Sequence, residues 1–323
     1  MERADINRIK SQLIDRRERL HQAAKHPETG FKFMALLKEV DSALERMNDG
    51  TYGICVVCHD PIEEDRLAIN PLINVCLDHL NENQRHALEA DLDLARKIQN
   101  TMLPKNNLIT PGWEYNYHYE PAGAVSGDYC DVIEYDGNSF FILGDVSGKG
   151  IAASLLMSHM HAMFHSLIPL GLGIASLVER VSRLLCESTL SSHYATLLFI
   201  KADESGNVEI CNAGHPPTIL IADNQIQKIG ATGMPVGLFC DAVYTTTKLK
   251  LGKGHSLLLS SDGLTEAYLE DQEYGTDRVA KIALENYALS AKGIIDKLLL
   301  DVNGFIGKNP KKDDLTIMTI EKL

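Results

Sequence analysis

Apolar segments that stop at an aspartate constrain the fold of this chain more than any other feature of its sequence. Three segments share the pattern of an apolar strand and an aspartate with glycine or a small residue beside it, at Asp128, Asp145 and Asp262. An aspartate at the end of a buried strand is costly unless its charge is compensated, and a neighbouring glycine lets a ligand approach closely. A fourth acidic site, Asp313 and Asp314, precedes the last predicted strand.

These acidic sites lie far apart in the sequence and have no cysteine or histidine cluster beside them. They therefore favour Mg²⁺ or Mn²⁺ over Zn²⁺ as the compensating charge. The alternative for any single aspartate is an ordinary turn or helix cap. Acidic residues outnumber basic ones by 44 to 31, for a net charge of -13, so the whole chain repels nucleic acids and anionic membranes. We expect neither among its partners.

The second part of the chain combines many strand patterns with a block of two helices. The helices are predicted over residues 150–167 and 174–187. The strands are predicted over residues 113–119, 131–135, 139–145, 195–201, 208–212, 218–221, 257–260 and 315–320. Many strands joined by short turns, with helices in blocks, are typical of an α+β fold rather than a doubly wound parallel sheet.

Residues 150–178 contain no Asp, Glu, Lys or Arg and are long enough to cross a bilayer. Three histidines interrupt this segment, and the Pro-Leu-Gly-Leu-Gly run at 169–173 breaks it, so core helices are predicted instead of a membrane span. His161 and His165 have the i, i+4 spacing of a metal site. Because the segment offers no acidic partner, they and His159 are predicted to be core residues.

Three cysteines and a histidine follow the pattern C-x2-C-x17-C-x2-H, at Cys55, Cys58, Cys76 and His79. Each x2 pair lets two ligands approach one ion from a single turn, and two such pairs complete the tetrahedron that Zn²⁺ prefers. Four ligands with no open position predict a structural zinc site. The alternative is a set of reduced core thiols with an unrelated histidine.

The segment around these ligands resembles the zinc finger of the DksA/TraR family over about residues 35–80, through residues 43–46, 50–53 and 66–67 and Pro71. His79 replaces the commoner fourth cysteine. Two helices over residues 4–49 precede the finger, with a break at 26–30. In that family an acidic hairpin tip enters RNA polymerase. The tip here, near residues 25–32, lacks paired aspartates, so the resemblance implies a sensor or docking role.

Residues 80–103 contain neither Gly nor Pro, and apolar positions recur there at alternating gaps of four and three. The resulting seam, which includes the polar Gln99, either pairs two chains as a homodimer or packs on the chain's own second domain. Leu103-Pro104 ends the helix. The predicted domains are therefore a helical hairpin with a zinc finger at 1–80, a linker helix at 81–107 and a catalytic domain at 108–323.

The cysteine count and the N-terminal sequence predict a reducing compartment. Seven cysteines are an odd number, and the charged start MERADINRIK lacks the apolar stretch of a secretory signal. Both observations favour a cytoplasmic protein.

Five sequence motifs resemble, in the same order, those of the SpoIIE/RsbU branch of the PPM metal-dependent serine/threonine phosphatases. They lie at residues 121–131, 144–150, 212–217, 261–267 and 313–316, and residues 95–104 resemble the helix that precedes the domain in that branch. The resemblance covers about residues 90–323. It implies an α/β/β/α sandwich with two Mn²⁺ or Mg²⁺ ions in a cleft at the ends of the sheets.

The resemblance also implies roles for individual residues. Asp128 is expected to hold one ion, Asp145 to bridge both, and Asp262 and Asp313 to hold the second. The carbonyl of Val146 is expected to be a further ligand. Three further positions have supporting roles. Asp314 is the weaker alternative to Asp313, and Asp131 is a supporting or third-metal carboxylate. Ser147 stands where eukaryotic relatives have a histidine, a candidate proton donor to the leaving group.

Two ions at such a site lower the pKa of a bridging water and neutralise phosphoryl oxygens, so no protein nucleophile is required. Cys130 is accordingly predicted to be a turn residue, and His215 to order a turn near the cleft. The resemblance implies hydrolysis of phosphoserine or phosphothreonine on a STAS-type anti-sigma antagonist, in partner-switching regulation. The alternative is a catalytically idle phosphatase fold that acts as a zinc-finger scaffold or an RNA polymerase-directed regulator.

Overall fold

The computed structural model describes residues 3–23, 30–104, 109–189, 193–307, 309 and 311–323. The chain divides into two compact units, Met1–Ala90 and Asp91–Leu323. The division falls inside the helix that the sequence analysis assigns to the linker at 81–107.

The first unit combines a helical hairpin with a small irregular segment. Its helices are α1 (Arg3–Ala23), α2 (Gly30–Asp49) and α3 (Glu64–Ile69), followed by a 3-10 turn at Leu77–His79. Apolar residues at helical spacing meet between α1 and α2, where the buried residues are Ile9, Leu13, Val40, Ala43 and Leu44. The predicted break at 26–30 falls mostly on residues 24–29, which lie outside the described residues, as does most of the hairpin tip.

Helix α4 (Glu82–Asn100) contains the predicted seam. Within the second unit, the side chain of Gln99 is buried and exchanges two hydrogen bonds with the backbone of Ser126. Gln99 Nε2 donates to the Ser126 carbonyl at 2.7 Å, and Gln99 Oε1 accepts from the Ser126 N–H at 3.0 Å. The polar position on the seam therefore binds the chain's own second unit. Leu94 and Ile98 remain exposed on α4.

Two antiparallel sheets form the centre of the second unit. One has the strand order β1-β2-β13-β10-β7-β8 and the other β3-β4-β5-β6-β9. The first contains β1 (Ile109–Thr110), β2 (Trp113–Glu120), β7 (Thr218–Ala222), β8 (Gln225–Ile229), β10 (Ser256–Ser260) and β13 (Leu315–Lys322). The second contains β3 (Asp128–Tyr135), β4 (Asn138–Val146), β5 (Ala195–Asp203), β6 (Asn207–Ala213) and β9 (Thr247–Lys250), and a separate hairpin is formed by β11 (Tyr268–Leu269) and β12 (Gln272–Glu273).

Helices cover the outer faces of both sheets. They are α5 (Gly150–Leu167), α6 (Ile174–Ser188), α7 (Asp262–Thr265), α8 (Thr276–Glu285) and α9 (Ala291–Ile306). Alternation along β4 shows the layering, because Phe141 and Leu143 pack between the sheets while Ile142 packs with residues of α5 and α6. A third cluster joins α8 and α9 to the other sheet. The predicted α/β/β/α sandwich is confirmed.

Helix α5 is part of this core. The segment Gly150–Leu170 has the length and composition of a membrane span. In the fold, Met157, Met160 and Phe164 of α5 are buried with residues of β3 and β5. A 3-10 turn at Ile168–Leu170 ends α5 before α6 begins. The prediction of two core helices is therefore confirmed.

Several elements were not predicted from the sequence. Strands β8 and β9 and helices α8 and α9 lack a named prediction, and β3 begins at Asp128 rather than at residue 131. A disulfide joins Cys186 in α6 to Cys240, with a Cα–Cα distance of 5.4 Å. The odd cysteine count indicated reduced thiols, so this bond was also not predicted.

Candidate active site

Strands β3 and β4 place two of the predicted carboxylates side by side. The strands are antiparallel, and Asp128 and Asp145 are direct Cα partners in their register. The sequence analysis treated Asp128 as the end of a strand, but it is the first residue of β3. The two aspartates meet because the start of one antiparallel strand lies beside the end of the next.

The other sheet contributes the remaining pair. Asp262 follows the end of β10, and Asp313 precedes the start of its antiparallel neighbour β13. The Ser261 N–H donates to the Thr316 carbonyl at 2.9 Å, which closes this end of the ladder. The Thr316 hydroxyl donates to the carboxylate of Asp128 and so connects the two sheets.

The four carboxylates lie close enough to change each other's pKa. Burial and the charge of Asp145 raise the pKa of Asp128 well above its usual range. Burial, with Asp262 and Asp313 nearby, raises the pKa of Asp145 to about 8. Burial and Asp313 raise the pKa of Asp262 to about 6. Such shifts mean that the ionised carboxylates lack compensating positive charge. A group of buried and half-buried oxygen ligands with this deficit fits hard divalent cations.

Lys149 is a cation at this edge that the sequence analysis did not select. Its Nζ lies 2.8 Å from Asp313 Oδ2 and also donates to the carbonyl of Lys312. It acts to lower the pKa values of Asp145 and Asp262. Residues 144–150 are one of the five motifs of the resemblance, which implied roles for Asp145, Val146 and Ser147 but none for the lysine. The available signal was a lysine four residues after Asp145, at the residue before α5.

Two glycines allow the backbone to approach at this edge. A Cβ on Gly263 would lie 2.0 Å from the carbonyl oxygen of Asp314. A Cβ on Gly127 would lie 3.1 Å from the carbonyl oxygen of Val146, the predicted backbone ligand. Any side chain at Gly263 would force the segment that carries Asp262 away from the segment that carries Asp313.

The side chains of Asp314 and Ser147 accept hydrogen bonds from backbone N–H groups. Asp314 Oδ1 accepts from the Ala122 N–H at 2.7 Å, and its Oδ2 accepts from the Gly127 N–H at 2.8 Å. It therefore holds the loop that leads into β3. Ser147 Oγ accepts from the Tyr194 N–H at 3.0 Å, and the Ser147 N–H donates to the Tyr194 carbonyl at 2.8 Å. Both contacts position loops around the acidic edge.

Asp131 does not join the carboxylate group. Side chains alternate along a strand, so residues three apart point to opposite faces of the sheet. Asp131 shares the face of Tyr129, and its Oδ2 lies 2.8 Å from His165 Nε2 and 3.2 Å from His161 Nδ1 on α5. Asp131 was predicted to be a supporting or third-metal carboxylate, and its contacts with α5 on the other face of β3 correct the expectation that it lies among the other carboxylates.

Cys130 and His215 have no acid or nucleophile chemistry available. Cys130 is buried between the sheets, and burial raises the pKa of its thiol well above the usual range. Burial lowers the pKa of His215 to about 3, so its ring is neutral. The backbone N–H of His215 donates to Asn212 Oδ1 at 2.8 Å, within the turn that the sequence analysis assigned to it.

A cleft of about 430 Å³ opens beside Asp313. Gly263 and Leu315 form its inner wall, next to the acidic edge. Further lining comes from the β11–β12 hairpin, through Tyr268 and Glu270, and from Lys311 and Lys312. The carboxylate group thus adjoins a cavity lined by apolar residues and by charged residues of both signs.

The first unit contains the predicted zinc ligands as one cluster. The ligand atoms of Cys55, Cys58, Cys76 and His79 all lie within 4.8 Å of one another. Burial acts to raise the pKa of the Cys55 thiol, but backbone N–H groups around it, including that of Cys58, lower its pKa to about 6. This favours the thiolate, which is the form that binds metal. The donor set of three sulfurs and one imidazole fits Zn²⁺.

Arg46 ties this cluster to the hairpin. Its guanidinium is almost fully buried and donates to the carbonyls of Ile73 at 3.1 Å and Leu72 at 3.3 Å. Tyr52 adds a bond from its hydroxyl to the Pro71 carbonyl at 3.1 Å. These contacts join residues before the first ligand pair to residues after it, and the resemblance to the zinc-finger family includes residues from both segments.

A sandwich of two sheets with an acidic edge is typical of PP2C-type phosphatase domains, and the second unit of this chain has that architecture. Residues 135–322 match the family model described as Stage II sporulation protein E (SpoIIE). This match spans more than half of the chain, and the chain belongs to the SpoIIE family. Residues 50–78 match the prokaryotic DksA/TraR C4-type zinc finger.

Three curated relatives show how much of the chain is shared. Protein IcfG of Synechocystis is 27% identical over 266 residues, covering 71% of this chain and 41% of IcfG. Phosphoserine phosphatase RsbP of Bacillus subtilis is 28% identical over 183 residues, covering 54% of this chain and 45% of RsbP. Phosphoserine phosphatase RsbU of the same organism is 24% identical over 241 residues, covering 73% and 71%. The chain thus spans less than half the length of the first two.

Solved structures support the same fold. The SiaA-PP2C domain of Pseudomonas aeruginosa matches with a TM-score of 0.65 and 18% identity, over 73% of this chain and 98% of that domain. The RsbU and RsbW domains of Rv1364c from Mycobacterium tuberculosis match with a TM-score of 0.56 and 26% identity, over 66% of this chain and 61% of that chain.

Proposed function

We propose that the chain is a metal-dependent protein phosphatase that hydrolyses phosphoserine or phosphothreonine on a protein substrate. The observation that carries this proposal is the convergence of four carboxylates, Asp128, Asp145, Asp262 and Asp313, from two sheets at one edge. The raised pKa values of Asp128, Asp145 and Asp262 and the adjoining cleft support it. The names of two relatives, both phosphoserine phosphatases, point to the same chemistry.

In this proposal two Mn²⁺ or Mg²⁺ ions occupy the acidic edge. Asp128, Asp145 and the Val146 carbonyl would hold one ion, and Asp145, Asp262 and Asp313 would hold the other. When bound, the ions supply Lewis-acid activation of water and neutralisation of phosphoryl charge. Thr316 fixes the carboxylate of Asp128, and Asp314 fixes the loop before β3. Lys149 balances the charge of Asp313.

A chromogenic phosphate ester with Mn²⁺ tests the activity. Asp145→Asn is expected to abolish Mn²⁺-dependent hydrolysis, because it removes the carboxylate assigned to both ions. The matched control is Asp136→Asn, at the exposed turn that joins β3 to β4, where the φ of 49° suits asparagine. Equal rates in all three proteins would favour the alternative, an idle phosphatase fold that acts as a scaffold or an RNA polymerase-directed regulator.

The substrate in this proposal is a phosphorylated STAS-type anti-sigma antagonist in partner-switching regulation. Lys311 and Lys312 line the cleft beside Asp313 and offer cations for a phosphate group, although Glu266 and Glu270 line the same cleft. The test is loss of phosphate from a purified phosphorylated STAS protein, followed by electrophoresis in a phosphate-binding gel. Hydrolysis of the ester without loss of phosphate from the STAS protein would leave the activity standing and reject this substrate class.

We propose that the first unit regulates the second. The protein is proposed to be cytoplasmic. Its ligand cluster is proposed to hold one structural zinc ion. Cys55→Ser is then expected to remove one zinc per chain and unfold this unit, while the second unit still hydrolyses the ester. Loss of turnover along with the zinc would contradict independent domains with the proposed boundaries.

Pairing of two chains through α4 also belongs to this proposal. Gln99 is already used within the chain, so pairing would rest on the exposed Leu94 and Ile98. Sedimentation of Leu94→Glu against the native chain tests it. A native monomer would reject pairing.

A further inference from the structure

A second group of potential metal ligands lies on the opposite face of β3 from the acidic edge. Asp131 of β3 meets His161 and His165, which are one turn apart on α5. The potential ligand atoms of these three residues all lie within 4.8 Å of one another. The missing acidic partner of the two histidines, which the sequence of α5 does not contain, therefore comes from a neighbouring strand.

The three side chains point at one place. Asp131 Oδ2 lies 2.8 Å from His165 Nε2 and 3.2 Å from His161 Nδ1. The two imidazole rings have centroids 4.2 Å apart. For ligands at about 2.0–2.1 Å from a tetrahedral Zn²⁺ ion, ligand atoms are separated by about 3.3 Å. The observed separations are close to that value, and the half-exposed His165 has room for the small adjustment.

One buried nitrogen in this group is left without a hydrogen bond. Among the described residues, His161 Nδ1 has no partner of hydrogen-bonding geometry, although it lies close to Asp131 Oδ2. A buried ring nitrogen without a partner is costly. A metal ion between the two imidazoles and the carboxylate would use its lone pair.

The carboxylate is held in place by further donors. The Tyr129 hydroxyl donates to Asp131 Oδ2 at 2.9 Å, and the Val132 N–H donates to Asp131 Oδ1 at 2.8 Å. Asp131 and Tyr129 are buried in the layer between β3 and α5. Metal-binding carboxylates commonly have such supporting hydrogen bonds, which fix their orientation.

We propose that Asp131, His161 and His165 form a binding site for a divalent transition-metal ion of the Zn²⁺ type. Two imidazoles and one carboxylate match the donor sets of transition metals, whereas Mg²⁺ and Ca²⁺ prefer oxygen ligands alone. The site is separate from the acidic edge and from the cysteine cluster. Three protein ligands and an exposed His165 leave a coordination position open to solvent. The ion would fasten the last turns of α5 to β3.

This inference is independent of the proposed phosphatase activity, and it is tested by metal content and stability. The full chain is dialysed to equilibrium in a zinc-buffered solution, and bound zinc is counted by elemental analysis. The double variant His161→Gln/His165→Gln is expected to bind one equivalent less than the native chain. His159→Gln, two residues from His161 and on another side of α5, is the matched control and should keep the native content.

Thermal unfolding gives a second readout. Zinc that binds only the folded state raises the unfolding temperature. The increase on adding zinc should be smaller in the double variant and in Asp131→Asn than in His159→Gln. Unfolding scans without added zinc establish that each variant is folded, and the exposed single variant His165→Gln replaces any that is not. Equal zinc content and equal stabilisation in all folded variants would overturn the proposal.

Discussion

Asp128 and Asp131 lie three residues apart on one strand, and their electrostatic surroundings are opposite. Both are nearly inaccessible, at 1% and 4% exposure. Burial and Asp145 raise the pKa of Asp128 well above its usual range. Burial acts in the same direction on Asp131, but the imidazoles of His161 and His165 outweigh it and lower the pKa. The neighbours across the layer, rather than burial, decide which carboxylate carries a compensated charge.

The largest expected difference between the two faces is in turnover. Asp128→Asn is expected to reduce Mn²⁺-dependent hydrolysis of the phosphate ester by ~10²-fold or more, because it removes an anionic ligand from the acidic edge. Asp131→Asn should leave the rate within about twofold. Initial rates at saturating Mn²⁺ check both variants. Comparable losses in the two would mean that Asp131 does belong to the catalytic group.

Replacement of a glycine by alanine is expected to be harmful at the acidic edge but not at an open helical position. Gly263→Ala should destabilise the chain by about 1–3 kcal/mol and also reduce turnover, because its Cβ would meet the Asp314 carbonyl. Gly304→Ala is the matched control, since nothing lies within 4 Å of a Cβ there and the position is inside α9. The control should gain roughly 0.5–1 kcal/mol from helix propensity. Urea unfolding measures both, and an unchanged Gly263→Ala protein would contradict the close approach.

The two aspartates should also differ in their effect on stability. Asp131→Asn is expected to cost about 1–3 kcal/mol, because the buried Tyr129 hydroxyl and the His165 imidazole lose a charged acceptor. Asp128→Asn should cost less than this in buffer free of Mg²⁺ and Mn²⁺, since it replaces a carboxyl group whose ionisation is disfavoured by burial and by Asp145. Denaturant midpoints at neutral pH test the order. A larger loss in Asp128→Asn would reverse the comparison.

A dependence on pH gives a further test of the acidic edge. The pKa of Asp145 is about 8 in the folded chain and ~3.9 in an unfolded one. Folded molecules therefore bind more protons than unfolded ones between these values, and stability falls as pH rises. Without Mg²⁺ and Mn²⁺, Asp145→Asn should become progressively more stable than the native chain from pH 5 to pH 8. Urea unfolding at several pH values checks the slope, and a difference that is constant with pH would contradict it.

The strands of the sandwich were predicted from the sequence because they have local signals, whereas their arrangement in two layers followed from the resemblance. Strands buried on both faces are continuous apolar runs, as in Phe140–Leu143, and the acidic words sit at their ends. Asp131 was expected near the other carboxylates because residues 121–131 were treated as one motif with Asp128, whereas alternation along β3 puts its side chain on the other face. The partner of His161 and His165 was missed because it comes from a strand that is remote in sequence. Lys149 was missed because no local pattern marks its contact with Asp313.

Manganese binding measured together with phosphate release tests the central claim most directly. The claim is that carboxylates from two sheets converge to bind two hard cations. Titration of the native chain should show two Mn²⁺ ions bound beyond those taken by the His161/His165 site, and Asp145→Asn should lose both this binding and turnover. An Asp145→Asn protein that binds manganese and releases phosphate like the native chain would contradict the account.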